Sequence, residues 1–491
     1  MRTAKLTARL IAELTGSLRR TAATLACALA AALGGAGVVQ AAANIVIVNQ
    51  NAPGEGFNDP TPAAPVGGNT GTTLGEQRLI AFQRAANIWG ATLDSTVTIR
   101  IGASFVPLSC TASGAVLGAA GAYEIWTDFD NAPRANTWYP AALASKLAGA
   151  DLTAPEDPHI IAVFNSRLGL FSDCLPGSPF YLGLDNRANG QIDLVTVLLH
   201  EMAHGLGFQT FTDDETGEQF FGVPSIWDYF LVNNRTNLPW VSMTDEQRRI
   251  SATTWRGLSW NGPNVTAAVP KVLGPRSNLN IDGANASAAR GNYYVGDASF
   301  GPPIGKTPVS GQLLPVVDQP NGTGLACTPL TADNALAVRN NIALVDRGSC
   351  DFVTKARNVQ TAGAIGMLVV DNVPGDVVGL SGSDPGIRIP ALRITQSDGV
   401  AIKAALQQRS RTRSGVIATF GLDTTQLAGT DRQRRILMYT PSIHSPGSSV
   451  SHYTTEAKPN QLMEPSINAD LQHKVKPPRD LTFPLLRDIG W

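Results

Sequence analysis

One stretch, residues 193–208, constrains the fold more than any other and reads DLVTVLLHEMAHGLGF. Apolar residues at helical spacing, a residue able to cap the first turn at Asp193 and glycines at the end predict a buried helix. His200 and His204 are four residues apart, so a helix places both imidazoles on one side, where they can bind one metal ion. Glu201 lies about 100° around the helix from His200 and can reach a water on that ion. The stretch therefore predicts a metal site with Glu201 as the general base.

A catalytic zinc usually has three protein ligands and one open position, so the predicted helix needs a third partner. In the common metzincin pattern HExxHxxGxxH, the third histidine follows the second by six residues. Gly207 occupies the glycine position of that pattern, but Thr210 occupies the position of the histidine. Threonine is not a credible substitute for that ligand, so the third ligand is expected elsewhere in the chain.

The search for the third ligand is short because the chain contains six histidines. His159 opens an apolar strand and is interpreted as structural or surface-exposed, while His473 stands in a polar stretch and is interpreted as solvated. His444 stays possible but has no supporting pattern around it. A carboxylate from the acidic cluster 213–215, or from Asp228, is a further alternative.

His452 is the preferred third ligand because of the residues that follow it. It stands in a Ser-His-Tyr run, and eleven residues later Met463 stands in a Leu-Met-Glu-Pro run. This spacing, the run HEMAHGLGF and the closing LTFPLLRDIGW resemble the leishmanolysin family of metzincins, although Tyr453 stands where that family has tryptophan. The resemblance implies that His200, His204 and His452 bind Zn²⁺ and that Met463 forms the apolar floor of a Met-turn.

The gap between the helix and His452 is large, since His452 follows His204 by 248 residues. The entropy cost of closing a loop grows only with the logarithm of its length, so a self-folding insert is tolerated if its ends lie close together. Over roughly residues 325–410, the runs IALVDRGSCDFVTKARNVQTAGAIGMLVVDN and IPALRITQSDGVAIKAAL closely resemble the protease-associated (PA) domain. The resemblance implies a small β-rich fold that supplies interaction or lid surface and no catalytic groups.

The pattern before the helix predicts the rest of the architecture. Strands are expected at residues 44–48, 97–101 and 159–164, with a helix from the capping box at Thr73 and Glu76 to Leu93. The predicted fold class is an α/β (α+β) catalytic domain of the zincin or metzincin type, with a twisted sheet behind the HExxH helix, interrupted by a β-rich PA-type domain. The predicted division is a signal peptide at 1–43, catalytic segments at 44–265 and 425–491, and an insert at 266–424.

The first 43 residues have the pattern of a secretion signal, with basic residues before an uncharged run at 21–43 that ends in alanines. A membrane anchor is the alternative, but the run is short and rich in small residues, so its insertion would be weak. Cleavage would export the protein to the extracellular or periplasmic space without a stable membrane anchor.

The cysteines agree with export. Loss of the signal removes Cys27 and leaves four of the five cysteines in the chain. An even number in an exported protein favours two disulfides, by position Cys110 with Cys174 and Cys327 with Cys350, while free buried thiols stay an alternative. None of these cysteines has a zinc-ligand spacing.

These features predict a secreted zinc endopeptidase that hydrolyses protein or peptide substrates by Glu201-assisted attack of a zinc-activated water. The net charge of −1 gives no reason to expect nucleic acid as a partner, and no pattern specifies an oligomer. One alternative is an exported zinc aminopeptidase, which usually needs a second metal. Another is a non-catalytic binding protein with a vestigial zinc site, against which the intact Glu201 argues.

Overall fold

The computed structural model describes residues 2–5 and 42–491. Most of the predicted signal peptide, residues 1 and 6–41, lies outside the described residues, and so does Cys27. Among the described residues, no helix is both long enough and apolar enough to cross a membrane.

Up to residue 273, short strands alternate with helices. The strands are β1 (Arg2–Lys5), β2 (Ile45–Asn49), β3 (Ile99–Val106), β4 (Gly118–Ala122), β5 (Glu124–Thr127), β6 (Tyr139–Pro140), β7 (Ile160–Asn165), β8 (Phe180–Tyr181), β9 (Ile192–Asp193), β10 (Leu231–Asn233) and β11 (Leu258–Trp260). The helices are α1 (Leu74–Gly90), α2 (Ala141–Ala148), α3 (Leu194–Leu206), α4 (Asp245–Ala252) and α5 (Pro263–Val272).

A four-stranded sheet in the order β2-β3-β7-β4 supports helix α3. The strands β2, β3 and β7 are parallel, and β4 runs antiparallel to β7 at one edge. The parallel strands form near the predicted positions because alternate apolar residues such as Ile45, Ile99 and Ile101 are buried in the core, while Val46 and Val48 on the other face of β2 are exposed. The indole nitrogen of Trp89 in α1 donates a hydrogen bond of 3.1 Å to the carbonyl of Leu199, which ties α1 to α3.

Helix α1 shows where the sequence pattern was right and where it was wrong. The predicted capping box is present, with Thr73 and Glu76 each bonded to the backbone of the other. Phe82 and Trp89 are buried as expected, but Leu79, predicted in the same stripe, is 42% exposed. The buried face is therefore rotated toward Ala81 and its neighbours.

A second sheet of eight strands follows, in the order β13-β12-β19-β15-β16-β17-β18-β14. The inner strands β15 to β18 are parallel, and the remaining pairs are antiparallel. The protein is thus a mixed α/β structure. The strands of this unit are β12 (Pro275–Asp282), β13 (Gly291–Tyr293), β14 (Gly296–Asp297), β15 (Val309–Pro315), β16 (Ile342–Asp346), β17 (Gly366–Val370), β18 (Ala391–Ile394) and β19 (Ile417–Leu427), and its helices are α6 (Ala332–Val338), α7 (Phe352–Thr361) and α8 (Gln396–Ala405).

The last helix, α9 (Thr482–Ile489), packs at the end of α3. The indole nitrogen of Trp491 donates to the carbonyl of Leu206 at 2.7 Å, and Nζ of Lys146 in α2 donates to the carbonyl of Gly490 at 2.8 Å. The end of the chain therefore closes the core around α3.

Separate hydrophobic cores mark the two parts of the chain. The core around α3 includes Val265 to Leu273 and, from the far end, Met463 and Leu485. The core of the second sheet begins at Leu279. Residues of α5 thus belong to the core around α3, and the predicted boundary between residues 265 and 266 falls within this helix.

Both predicted disulfides are confirmed. Cys110 is bonded to Cys174, and Cys327 is bonded to Cys350. The first joins two loops beside the four-stranded sheet, and the second lies within the second unit.

Candidate metal centre

Helix α3 is specified locally and held closely against the sheet. The Asp193 carboxylate caps it by accepting a 2.8 Å hydrogen bond from the backbone N–H of Thr196. Gly205 is required because a Cβ there would collide with the side chain of Ile160 in β7. Gly207 ends the helix with φ near 120°, a conformation that favours glycine.

The structure brings together the three histidines that the sequence proposes as ligands. The Nε2 atoms of His200 and His204 are 3.2 Å apart, and His452 Nε2 lies 3.2 Å from each of them. All three side chains are buried. In the described part of the chain, they form the group of three potential donors placed to share one metal ion.

Backbone carbonyls fix the orientation of each imidazole. A carbonyl only accepts hydrogen bonds, so each Nδ1 carries the proton and each Nε2 presents a lone pair to the other two rings. The acceptors are Leu462 O for His200 at 2.7 Å, Phe208 O for His204 at 2.7 Å and Ser448 O for His452 at 3.0 Å.

Burial keeps these rings neutral. It lowers the pKa of His200 to about 4 and that of His204 to about 3, and it holds the pKa of His452 well below 6.5. Desolvation of the charged form is the largest cause at each ring. At neutral pH the site therefore holds three unprotonated Nε2 atoms, which is the state that binds a metal.

The donor set fits zinc. Tetrahedral zinc with bonds of about 2.0–2.1 Å to nitrogen separates its nitrogen ligands by about 3.3–3.4 Å, and the three distances here are 3.2 Å. Three lone pairs that converge in a buried site repel one another unless a cation lies between them. The hydrogen bonds at Nδ1 match the outer shell that usually orients zinc-bound histidines.

Glu201 lies on the same helix and faces the edge strand β4. Burial raises the pKa of Glu201 to about 8, and a backbone hydrogen bond from Ala120 opposes that rise. A Cβ on Gly118 would lie 3.1 Å from Cγ of Glu201 and 2.9 Å from the ring of Phe164, so glycine leaves room for the glutamate. Burial thus brings Glu201 toward the range in which a carboxyl exchanges protons at neutral pH.

Met463 lies in the turn that contacts His200. The Met463 side chain is fully buried. The backbone carbonyl of Met463 accepts a 2.8 Å hydrogen bond from the N–H of Tyr453. The preceding carbonyl, that of Leu462, is the one that holds His200. The N–H of Leu462 is in turn bound by the buried carboxylate of Asp480 at 2.7 Å.

Thr210, which stands where a compact metzincin motif has its third histidine, takes part in a hydrogen-bond network with Asp228 and Ser451. Thr210 donates its hydroxyl to Asp228 at 2.6 Å, and its N–H donates to the hydroxyl of Ser451 at 3.2 Å. Asp228 also accepts hydrogen bonds from Thr212 and from the N–H of Ser225. Its oxygens are therefore committed to this network, away from the three histidines.

The remaining histidines lie outside the triad. His159 is buried and bonded to Asp151, which agrees with a structural role. His444 Nε2 lies 3.3 Å from Asp214, a member of the acidic cluster that was the alternative ligand source. The interpretation of His473 as solvated was wrong, because its ring is buried and Nε2 lies 2.8 Å from the capping carboxylate of Asp193.

Sequence reasoning missed the groups that hold the ligands in place. The carbonyls that orient the imidazoles belong to Leu462, Phe208 and Ser448. Every residue has a carbonyl, so no residue type marks these positions. The HEMAHGLGF and Leu-Met-Glu-Pro runs contain Phe208 and Leu462, and this proximity is the signal that could have found two of them.

Comparison with known proteins identifies one part of the chain. Residues 309–402 match the PA domain family. The minor extracellular protease Vpr of Bacillus subtilis is 30% identical over 112 residues, which are 22% of this chain and 14% of that protein. The ER degradation-enhancing alpha-mannosidase-like protein 3 of Homo sapiens is 34% identical over 123 residues, 23% of this chain and 13% of that protein. Leucine aminopeptidase 2 of Arthroderma otae is 29% identical over 214 residues, 40% of this chain and 41% of that protein.

The chain spans less than half the length of each of these relatives. Among solved structures, the zinc aminopeptidase BSAP from Bacillus subtilis aligns with a TM-score of 0.21 and 21% identity over 32% of this chain and 36% of that one. A TM-score this low carries no argument about the fold or the site. The relatives bear the names of different enzymes, so what they share with this chain does not establish its reaction. The chain contains a PA domain.

Proposed function

We propose that this protein is a zinc-dependent endopeptidase of the metzincin type, similar to leishmanolysin, with the PA domain inserted between its second and third zinc ligands. His200, His204 and His452 are the proposed ligands, Glu201 the catalytic acid and base, and Met463 the Met-turn residue. The proposed catalytic domain consists of two chain segments on either side of the insert. We also infer export through the N-terminal signal, with protein or peptide substrates.

One observation carries this proposal: three buried, neutral imidazoles direct their Nε2 lone pairs at one point, 3.2 Å from one another. No proton lies between the nitrogens, because each ring donates its proton to a carbonyl. This arrangement stabilises a cation and has no evident use without one.

The proposed mechanism assigns the proton transfers to Glu201. When bound, zinc would supply Lewis acidity that polarises the substrate carbonyl and makes water easier to deprotonate. Glu201 takes a proton from the attacking water and returns it to the leaving amine. The burial that raises its pKa favours the second step, in which the carboxyl acts as an acid. The side chains of His200, Glu201, His204 and His452 are buried, and their low-dielectric surroundings strengthen these electrostatic interactions.

The edge strand β4 favours cleavage within a chain. It pairs with β7 on one side, and the N–H of Ala120 is directed to Glu201. An extended peptide that pairs with the edge of a sheet continues in both directions past the reacting bond. The strand reads GAAGA, and its first two residues, Gly118 and Ala119, are partly exposed, with Gly118 next to Glu201.

A second candidate is a zinc aminopeptidase, favoured by the match to leucine aminopeptidase 2 over 40% of this chain. The two activities differ in whether a free substrate N-terminus is required. A fluorescence-quenched peptide with an acetylated N-terminus and an amidated C-terminus separates them, because an endopeptidase cleaves it and an aminopeptidase does not.

The principal test compares the parent with Glu201→Gln. We expect the variant to keep one equivalent of zinc and to lose about 10²–10⁴-fold in kcat/KM, the usual contribution of a general base. The proposed mechanism is wrong if the variant cleaves like the parent. If neither protein cleaves although both hold zinc, the non-catalytic alternative is favoured.

The ligand assignment has its own test and a matched control. His452→Ala should lose zinc, whereas His444→Ala should still bind one equivalent because His444 lies outside the triad, with its Nε2 3.3 Å from Asp214. Zinc is measured by elemental analysis after gel filtration. Retention of zinc in His452→Ala together with its loss in His444→Ala would move the third ligand to His444.

A further inference from the structure

The third histidine stands at the end of a closed loop, here named the ligand loop (residues 439–452). The N–H of Tyr439 donates to the carbonyl of His452 at 2.8 Å, and the N–H of Val450 donates to the carbonyl of Tyr439 at 2.8 Å. Backbone hydrogen bonds at Tyr439 therefore join the two ends of the loop. A shift of the loop moves His452 with it.

The loop also holds the imidazole of His452. The acceptor for Nδ1 is the carbonyl of Ser448 at 3.0 Å. That carbonyl lies in a turn in which the N–H groups of Ser448 and Ser449 both donate to the carbonyl of Ser445, at 3.0 and 2.9 Å. The direction of Nε2 thus depends on where this turn lies.

The outer part of the ligand loop has little packing of its own. Ser442 is exposed, and the side chain of Ile443 is 83% exposed. Two contacts hold this part from outside the loop. On one side His444 Nε2 lies 3.3 Å from Asp214, and on the other the N–H of Ser442 donates to Oδ2 of Asp376 at 2.7 Å.

Asp376 belongs to the PA domain, in the segment between β17 and β18. One side chain of the insert therefore contacts the ligand loop, at Ser442.

We propose that Asp376 is a positioning residue through which the PA domain holds the ligand loop and orients the third zinc ligand. This inference rests on the proposed zinc site and adds a role for the insert in that site. The insert interrupts the chain between the second and third ligands, and the Asp376–Ser442 hydrogen bond connects it back to the loop that carries His452. The PA domain thus contributes to metal retention without touching the metal.

The test measures zinc release from the full protein to a chromophoric chelator. Asp376→Ala and Asp376→Lys both remove the acceptor, so either folded variant tests the proposal. We expect zinc release about 10-fold faster than from the parent, the lower end of the range for outer partners of zinc ligands. Asp376→Asn keeps an oxygen acceptor for the Ser442 N–H and should restore the parent rate.

The matched control is Asp333→Ala, which removes an exposed carboxylate of the same domain that pairs with Arg411. It should release zinc like the parent. The visible spectrum of the cobalt-substituted protein gives a second readout, because a displaced His452 alters the ligand field and a loss of stability alone does not.

The outcomes separate this inference from the proposed function. If His452→Ala loses zinc but the Asp376 variants release it as slowly as the parent, the positioning role is wrong and the zinc site stands. If Asp333→Ala accelerates release as much as Asp376→Ala, the effect is not specific and the positioning role is again wrong. A parent that binds no zinc, or a His452→Ala variant that holds zinc like the parent, overturns both proposals.

Discussion

His159 makes the stability of the core around α3 depend on pH in a way that the structure specifies. The side chain is 0% exposed and stands just before β7. Its Nδ1 accepts a 3.2 Å hydrogen bond from the N–H of Arg100, and its Nε2 lies 3.1 Å from the Asp151 carboxylate. The neutral ring therefore satisfies both neighbours, whereas a second proton on Nδ1 would face another N–H group.

The sign and size of the effect follow from the pKa. Burial, as the largest cause, lowers the pKa of His159 from 6.5 to about 4. As pH falls below about 6.5, His159 is protonated in the unfolded chain but stays neutral in the folded protein. The free energy of unfolding therefore decreases until about pH 4. The two pKa values correspond to a loss of about 3 kcal/mol. Asp151, whose pKa is lowered from 3.8, acts below this window.

The measurement compares the parent with His159→Gln, since glutamine can accept from Arg100 and donate to Asp151 without titrating. Urea unfolding is followed by tryptophan fluorescence, because Trp89, Trp227, Trp240 and Trp260 are all buried in this core. Between pH 6.5 and pH 4, the parent should lose about 3 kcal/mol more than the variant. Other titrating groups are common to both proteins and cancel. Equal pH dependence in the two proteins would refute the reasoning.

Three further predictions concern stability. Removal of zinc by a chelator should lower the Tm, and zinc at 100 times its Kd should restore about 2.7 kcal/mol; an unchanged Tm on calorimetry would contradict a bound metal. Gly205→Ala should lower the free energy of unfolding by about 1–3 kcal/mol, because the added methyl group meets Ile160. Urea unfolding measures this loss, and a neutral result would mean that the helix moves freely on the sheet. Cys327→Ser should lower the free energy of unfolding of the second unit by about 3 kcal/mol, because it opens a crosslink between residues separated by 23 positions. Calorimetry of the parent should show the same loss when its disulfides are reduced.

Local signals were sufficient for several elements. The capping box at Thr73 and the cap at Asp193 mark where α1 and α3 begin, because capping hydrogen bonds join residues two or three positions apart. The PA domain was also recognisable, since its strands and helices form a contiguous run that matches over residues 309–402.

The errors came from residues whose surroundings are supplied by distant segments. His473 was expected in solvent because its immediate neighbours are polar, but it packs on Asp193, 280 residues earlier. The boundary of the insert stays a prediction: it falls within α5, whose residues Val269 and Val272 lie in the core around α3 and whose N–H groups at Asn264 and Val265 donate to Asp488. Sequence neighbours carry no information about such contacts.

The sequence by itself determined which side chains are available for chemistry, because the helical repeat places His200 and His204 on one side and Glu201 beside them. Only the tertiary structure decided that Nε2 of His452 lies 3.2 Å from the other two imidazoles. It also decided which nitrogen of each ring is free, since three backbone carbonyls bind the Nδ1 protons. The physical reason is that burial and backbone hydrogen bonds depend on the packing of segments hundreds of residues apart, whereas helix geometry depends on neighbours within a few residues.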